Sequence, residues 1–479
     1  MKKIAFIILC LFAATLQAQW SQLGTIIHGK QASDAFGDYV TFSKDGSVMA
    51  VSGYLGASVG GGVRVYQFDQ QWTQLGNDLV ADTNDQRFGQ TISLSDDGTI
   101  LAIGVPRVSG YTGYVQVFQY VVDTWVQIGD NILGEEGSDF FGESISISPS
   151  GTYLAVGARS NNVGSGNFGS LNSAGHVRVF QYLNGQWQQI GSDIDGTDRN
   201  QELGTAVSIS ENGNFVAARS NPNYPDHAEV FVYQKTVSGY QLIGSAIDLD
   251  EYGESSYPQT IALSSDGATL VIGSEQWVTD DNEEYNRGRV FIYSIQNNTL
   301  SLEEEIRGDS SQGSRFGNFV GIDEYGTKIA VLAPRFQTQG AQEDGKVFVY
   351  EKNNGSWGLN TSFVNNQSMS STMSSMGFSK DGNTVGYGVV LSDVGGLNTG
   401  SMRVFRNSNT LTSPLNSLNS ESIPFQVIDG QLIYSEEHVD IVIYNALGQE
   451  VKNKNLKGFY VLKILDSNFK TTTTKIVIE

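Results

Sequence analysis

Three observations predict an all-β chain: a seven-bladed β-propeller of four-stranded antiparallel blades, closed by its N-terminal strand and followed by a small C-terminal β-sandwich module. The first is a recurring phrase. Residues 138–158 read SDFFGESISISPSGTYLAVGA, and close variants stand at 33–53, 84–105 and 314–334. The second is a series of seven glycine turns, at 43–46, 95–98, 148–151, 210–213, 264–267, 323–326 and 379–382, spaced 52, 53, 62, 54, 59 and 56 residues apart. The third is composition: 55 Gly, only eight Pro and 17% charged residues suit many short strands joined by tight turns.

Each turn follows an alternating segment such as SISI (144–147) and precedes a continuous apolar one such as YLAV (153–156). That is a half-alternating strand, a hairpin and a buried strand, with Gly supplying the positive φ of the turn. A third strand comes next, at 63–66, 115–118, 177–180, 229–232, 290–293, 347–350 and 402–405. A fourth opens on an aromatic, at Trp20, Trp72, Trp125, Trp187, Tyr240 and Trp357, with 300–302 standing in once. Trp20 begins a fourth strand with no blade before it, while the blade ending at Phe405 lacks one. The N-terminal strand is therefore expected outside the strands near 374–405, where it removes two exposed edges.

Before that strand, Lys2 and Lys3, an apolar run at 4–16 and a small-residue site before Gln19 have the pattern of a cleaved signal over 1–18. Thirteen apolar-leaning residues are short for a membrane span, so no integral membrane segment is expected after cleavage. The single cysteine, Cys10, lies inside this segment, which leaves the mature chain without disulfides or thiolate chemistry. The propeller is expected over 19–405, a linker over 406–423 and the C-terminal module over 424–479.

The net charge of −22 belongs to the repeats, because the leader contributes +2 and residues 411–479 contribute −2. Such a surface is repelled by phosphate backbones, so nucleic acid is not an expected partner.

Phe36–Gly37, Phe88–Gly89, Phe141–Gly142 and Phe316–Gly317, each followed by a Val/Ile strand and then GVP (104–106), GA (157–158) or LAP (332–334), resemble the FG-GAP repeat. That repeat is the blade unit of integrin α-subunit propellers and of many bacterial surface proteins. Leu203–Gly204, Tyr257–Pro258 and Thr372–Met373 depart from it. The turns also resemble those of WD-type and TolB-type propellers. Variable loops without a catalytic constellation point to a binding or adhesion module; in integrin-type blades the resemblance also implies a calcium loop between the first two strands. Here that loop is only a turn, so Asp45, Asp97, Asp266 and Asp381 read as turn residues and no metal or cofactor is expected. The acids at 193–198 are the nearest to a calcium loop but lack its spacing. Arg307, Gly308 and Asp309 spell an integrin-ligand tripeptide, yet Gly308 falls in register with Gly29, Gly134 and Gly196. The sialidase Asp-box is incomplete, and no nucleophile elbow, phosphate loop or metalloprotease motif occurs. A secreted hydrolase acting on polysaccharide or glycoconjugate is the alternative to a binding module.

Binding residues are expected on the variable loops after the second strand, which share one face with those after the fourth. Arg107, Arg159, Arg219 and Arg335 recur near the start of these loops, accompanied by Tyr111, Tyr224, Trp277, Tyr285 and Phe336. Two readings are open: each Arg braces adjacent blades through an acid such as Asp34, Asp85 or Asp139, or the set grips a protein or glycan ligand.

Residues 406–423 are rich in Asn, Ser and Thr, too polar to bury. The segment beyond this linker resembles the C-terminal sorting domain of type IX secretion cargo, at Tyr444, Gly448, Gln449, Gly458, Tyr460 and the terminal KIVI beginning at Lys475. The usual Asn-Pro near its start is missing around 427–430. The resemblance implies passage through the periplasm, recognition by the secretion machinery and delivery to the medium or the outer cell surface.

Overall fold

The computed structural model describes residues 20–53, 61–81, 87–108, 110–163, 171–220, 228–249, 257–276, 287–308, 313–337, 345–365, 373–393, 398–407 and five C-terminal strands. The proposed leader and most of the linker lie outside them. The chain divides into two compact units, 1–408 and 409–479.

The first unit is a seven-bladed β-propeller. In blade 3 the strands Ser144–Ile147, Tyr153–Ala158, His176–Leu183 and Gln186–Gln189 pair antiparallel in chain order from the innermost outward, and the other blades repeat this. The outer strand of most blades breaks at a positive-φ glycine such as Gly191 and resumes as a two-residue piece, here Ile194–Asp195, on the same third strand. A 3₁₀ turn spans Glu211–Gly213, and among the described residues no helix is long and apolar enough to cross a membrane.

Seven buried clusters form the core, each built from two neighbouring blades. One joins Ala102, Val115 and Val117 of blade 2 to Phe141, Leu154 and Val156 of blade 3. No blade buries both faces alone, so stability lies in the interfaces. Two packing contacts explain the recurring Phe-Gly. Phe36, Phe88, Phe141 and Phe316 are at most 2% exposed, with Leu203 in the same slot of blade 4. Gly37, Gly142, Gly204 and Gly317 pack their backbone on a second-strand glycine of the preceding blade, while Gly89 faces Ser52. A Cβ on Gly104, Gly157, Gly273 or Gly388 would lie 2.0–2.2 Å from the carbonyl of Gly142, Gly204, Gly317 or Gly37.

The alternating inner strands gain a reason as well. An innermost strand leaves N–H groups unpaired along the channel, and hydroxyls of the preceding blade accept from them. Ile147 N–H donates to Ser93 Oγ (3.0 Å), Ile209 N–H to Ser146 Oγ (3.1 Å) and Leu263 N–H to Ser208 Oγ (2.9 Å). The outer-strand tryptophans stitch blades from outside: the Nε1–H of Trp72, Trp125 and Trp187 donates to the carbonyl of Leu23, Leu75 and Ile128.

The ring closes as expected. Trp20–Gln22 pairs with Asn407, Arg406 and Phe405 outside the strand Ser401–Asn407, and Ile27–His28 continues on Met402 and Ser401. Trp20 donates to Asn360 Oδ1 of blade 6 (3.0 Å) and meets Phe363 edge-on.

In the second unit, Phe425–Ile428 pairs with Gln431–Tyr434, and Val439–Asn445, Gly458–Asp466 and Thr471–Ile478 form an antiparallel sheet. Tyr444 and Lys475 flank Val461 from opposite sides in this register, and Tyr460 lies between Asn445 and Ile476. Gly448 and Gln449 lie outside the described residues.

Candidate functional site

The innermost strands line a channel. At the face carrying the loops it opens into a cavity of about 510 Å³, walled by inner-strand residues of all seven blades, including Thr41, Ser93, Ser146, Ser208, Phe319 and Met376. The wall is a mixture of hydroxyls and apolar side chains, as the alternating segments require.

A belt of charge runs around part of the mouth. Arg159, leaving the second strand of blade 3, pairs with Glu143 of its own blade and with Glu202 on the approach to blade 4 (3.3 Å). Burial works against its charge, but the two carboxylates outweigh it and hold the guanidinium above its usual value. Arg219 of blade 4 is next, 4% exposed and held down to about 10 by burial, against the pull of Glu202 and Glu275. Glu275 of blade 5 accepts from Asn318 Nδ2 (2.6 Å) and lies 3.7 Å from Arg315, both on the approach to blade 6. Across the channel, burial together with the charges of Asp38 and Glu143 pushes the Tyr39 hydroxyl up to about 12, and its ring packs edge-on against Phe319.

Arg159 and Arg219 both line the cavity. Tyr111, 48% exposed, packs against Phe140 with centroids 5.3 Å apart and the rings tilted by 33°, and the Arg159 guanidinium stands 4.9 Å over the Phe140 ring. Arg107 lies just past its strand, half-buried, with a buried Nε that has no hydrogen-bond partner among the described residues. Arg335 is exposed, and Phe336 beside it packs on Phe348 under the Lys346 ammonium. Tyr224, Trp277, Tyr285 and Asp85 lie outside the described residues.

The four arginines do not share a register. Arg219 ends the strand Phe215–Arg219 and pairs with Ala206, the position held by Gly104 and Gly157 in blades 2 and 3. It is thus a strand residue rather than the start of a loop, and Ala206 leaves it room where Thr91 and Ser144 stand elsewhere. Counting from the turn glycine reveals this: six residues on stand Ser52, Gly104, Gly157, Arg219, Gly273, Leu332 and Gly388. Two of the acids named as possible braces for the arginines are engaged elsewhere. Asp34 pairs with Arg64 (3.2 Å), and Asp139 accepts from Glu136 N–H and Asn161. Phe140, Glu143, Glu202 and Glu275 had no local signal, since only the blade-to-blade register brings them to the mouth.

The opposite end is narrower, with a cavity of about 160 Å³. There the second residues of the turns converge. Lys44 N–H donates to Asp96 O (2.8 Å), Asp96 to Pro149, Glu211 to Ser265, Ser265 to Glu324 and Glu324 to Lys380, while Asp381 N–H returns to Lys44 O. The ring is broken only after Pro149, which has no N–H. Burial raises the Asp96 carboxyl to about 6 and lowers Lys380. The turn acids act locally: Asp45 accepts from Ser43 Oγ and from Ser47 N–H, and Asp97, Asp266 and Asp381 do the same. The register of Gly308 is likewise structural, since its N–H bonds Gly288 O as Gly134 bonds Gly113 O.

One cluster among the described residues has the make-up of a metal centre: Glu135, His176 and Asp193 bring potential ligand atoms within 4.8 Å of one another. Burial drives His176 down to about 4, so its imidazole is neutral at neutral pH.

No protein-family model matches the chain, and no curated protein matches it in sequence. Among solved structures, hydrazine synthase of Kuenenia stuttgartiensis is similar over 76% of this chain and 94% of the other, at 14% identity and a TM-score of 0.51. At that identity the likeness is one of fold, and the fold is a propeller.

Proposed function

We propose that the chain is an exported binding module that takes a protein or glycan ligand at the open mouth of its propeller channel, on the loop face. The observation that carries this is the belt from Glu143 through Arg159, Glu202, Arg219 and Glu275 to Asn318, set over a hydroxyl-lined cavity. Directional donors and acceptors on rigid strand ends, with the aromatic pair Tyr111 and Phe140 beside them, are what a polar ligand with flat faces needs. The bracing and gripping readings of the arginines merge, because an ion pair holding Arg159 in place also pre-orients it for a ligand.

A hydrolase needs a carboxyl free to give or take a proton. Each carboxylate of the belt is instead engaged by Arg or Asn, which favours binding over turnover. Export to the medium or outer surface, adhesion, and kinship with FG-GAP proteins extend the same reading. They rest on the leader pattern, on the Phe-Gly packing and on the resemblance of the tail to a sorting domain.

The test is a glycan array and a pull-down with a surface protein fraction. Wild type is compared with Tyr111→Ser, Arg335→Ser and Arg159→Met, each checked for an unchanged fold. Capture by wild type that the variants lose supports the site, and equal capture by all refutes it.

A further inference from the structure

Blade 3 differs from blade 1 at one polar pocket on the side of its third strand. In blade 1 the guanidinium of Arg64 fills this place, bonded to Asp34 (3.2 Å) and Asp78 (2.9 Å), and the residue two before it is Gly62. Blade 3 keeps the frame, with Arg178 for Arg64, Asp193 for Asp78 and Asp139 for Asp34. In place of the glycine stands His176.

The imidazole changes the pocket. Arg178 turns aside, donating to Gln189 Oε1 (2.8 Å) and Leu133 O (3.1 Å) over the rings of Phe141 and Phe180. It stays 3.8 Å from both Asp193 and Glu135, too far for a hydrogen bond. His176 is 1% exposed, and neither ring nitrogen has a hydrogen-bond partner. Asp139 Oδ1 is buried without a partner as well, and its charge reaches both His176 and Glu135. Buried polar atoms left this way are destabilising unless something outside the protein satisfies them.

We propose that this pocket binds one divalent transition-metal ion of the Zn²⁺ type, with His176, Asp193 and Glu135 as protein ligands. One imidazole with carboxylates and no thiolate is a nitrogen–oxygen donor set, which suits Zn²⁺ better than the all-oxygen preference of Ca²⁺ or Mg²⁺. Ligands about 2.1 Å from a common ion stand about 3–4 Å apart. The present spread of 4.8 Å closes by a turn of Glu135, whose side chain is 44% exposed. Glu135 lies on the connection from blade 2, while His176 and Asp193 belong to blade 3, so the ion ties the incoming connection to the blade. The site is separate from the turn acids and from the mouth of the channel.

The purified full chain, stripped with EDTA, is titrated calorimetrically with ZnCl₂ and, separately, with CaCl₂ and MgCl₂, and its melting is followed with and without Zn²⁺. The expected result is one Zn²⁺ per chain, tighter than Ca²⁺ or Mg²⁺, with a rise in melting temperature. Glu135→Gln, a surface change that leaves the fold alone, weakens Zn²⁺ binding by at least about tenfold. His176→Phe and Asp193→Asn abolish both the binding and the melting shift. The proposal is overturned if wild type shows no saturable site, if Ca²⁺ binds more tightly than Zn²⁺, or if Glu135→Gln binds Zn²⁺ as wild type does. Should His176→Phe fail to fold, Glu135→Gln and Asp193→Asn decide alone.

Discussion

Removing the closing strand tests how the ring is held. A chain beginning at Thr25 loses the pairing of residues 20–22 with 405–407 and the bond from Leu23 N–H to Val404 O (2.7 Å). Three to four backbone hydrogen bonds at about 1 kcal/mol each amount to roughly 3–4 kcal/mol. Trp20 is only partly buried, and its apolar area and edge contact with Phe363 (5.6 Å) add about 2 kcal/mol. Trp72 Nε1–H also loses its acceptor, Leu23 O. The loss is about 5–6 kcal/mol or more, a large share of the roughly 5–15 kcal/mol that holds a domain together. Urea unfolding read by tryptophan fluorescence, with amide exchange at 401–407, measures it. Deletion of an equal length from 411–423 serves as control. An unchanged midpoint with protection retained at 401–407 would refute the closure argument. Trp20→Ala, which keeps the backbone pairing, should lose only the smaller share.

The other predictions come from single contacts. Gly157→Ala places a Cβ 2.0 Å from Gly204 O, so blades 3 and 4 must part, lowering stability by about 3 kcal/mol or more in thermal melts. Ser146→Ala leaves the Ile209 N–H without its acceptor and should cost about 1–3 kcal/mol, whereas exposed Ser150→Ala should cost far less. Asp96, raised by burial to about 6, binds its proton more tightly folded than unfolded. Its contribution therefore falls as pH rises from about 4 to 6, and Asp96→Asn should gain on wild type across that window by about 1–3 kcal/mol. Deleting 411–479 should leave a folded propeller that is retained in the periplasm, as fractionation with an antibody reports.

The repeat made most of the propeller legible, because each blade states its own parts. Ser43 and Asp45 bond within their turn, Phe36 fills an interface, and Trp72 reaches back to the previous blade. The unmatched first and last strands told where the ring closes. The mouth was less legible, since its partners meet only through blade-to-blade register. Glu202 and Arg159 are 43 residues apart, and Glu275 and Asn318 likewise 43. Arg219 misled because AARS at 217–220 reads like GARS at 157–160, although the count from the turn places it two residues earlier in the fold. His176 gave no signal by itself. Its oddity appears only beside Gly62, once both are known to occupy one position in two blades.

The central claim, that the loop face is the binding face, is tested most directly by glycan-array binding measured for two variants side by side. One carries Tyr111→Ser and Arg159→Met at the open mouth; the other carries Lys44→Met at the turn end. Binding lost in the first and kept in the second, with both folded by circular dichroism, is the predicted result. Binding kept in the first, or lost in the second, would contradict it.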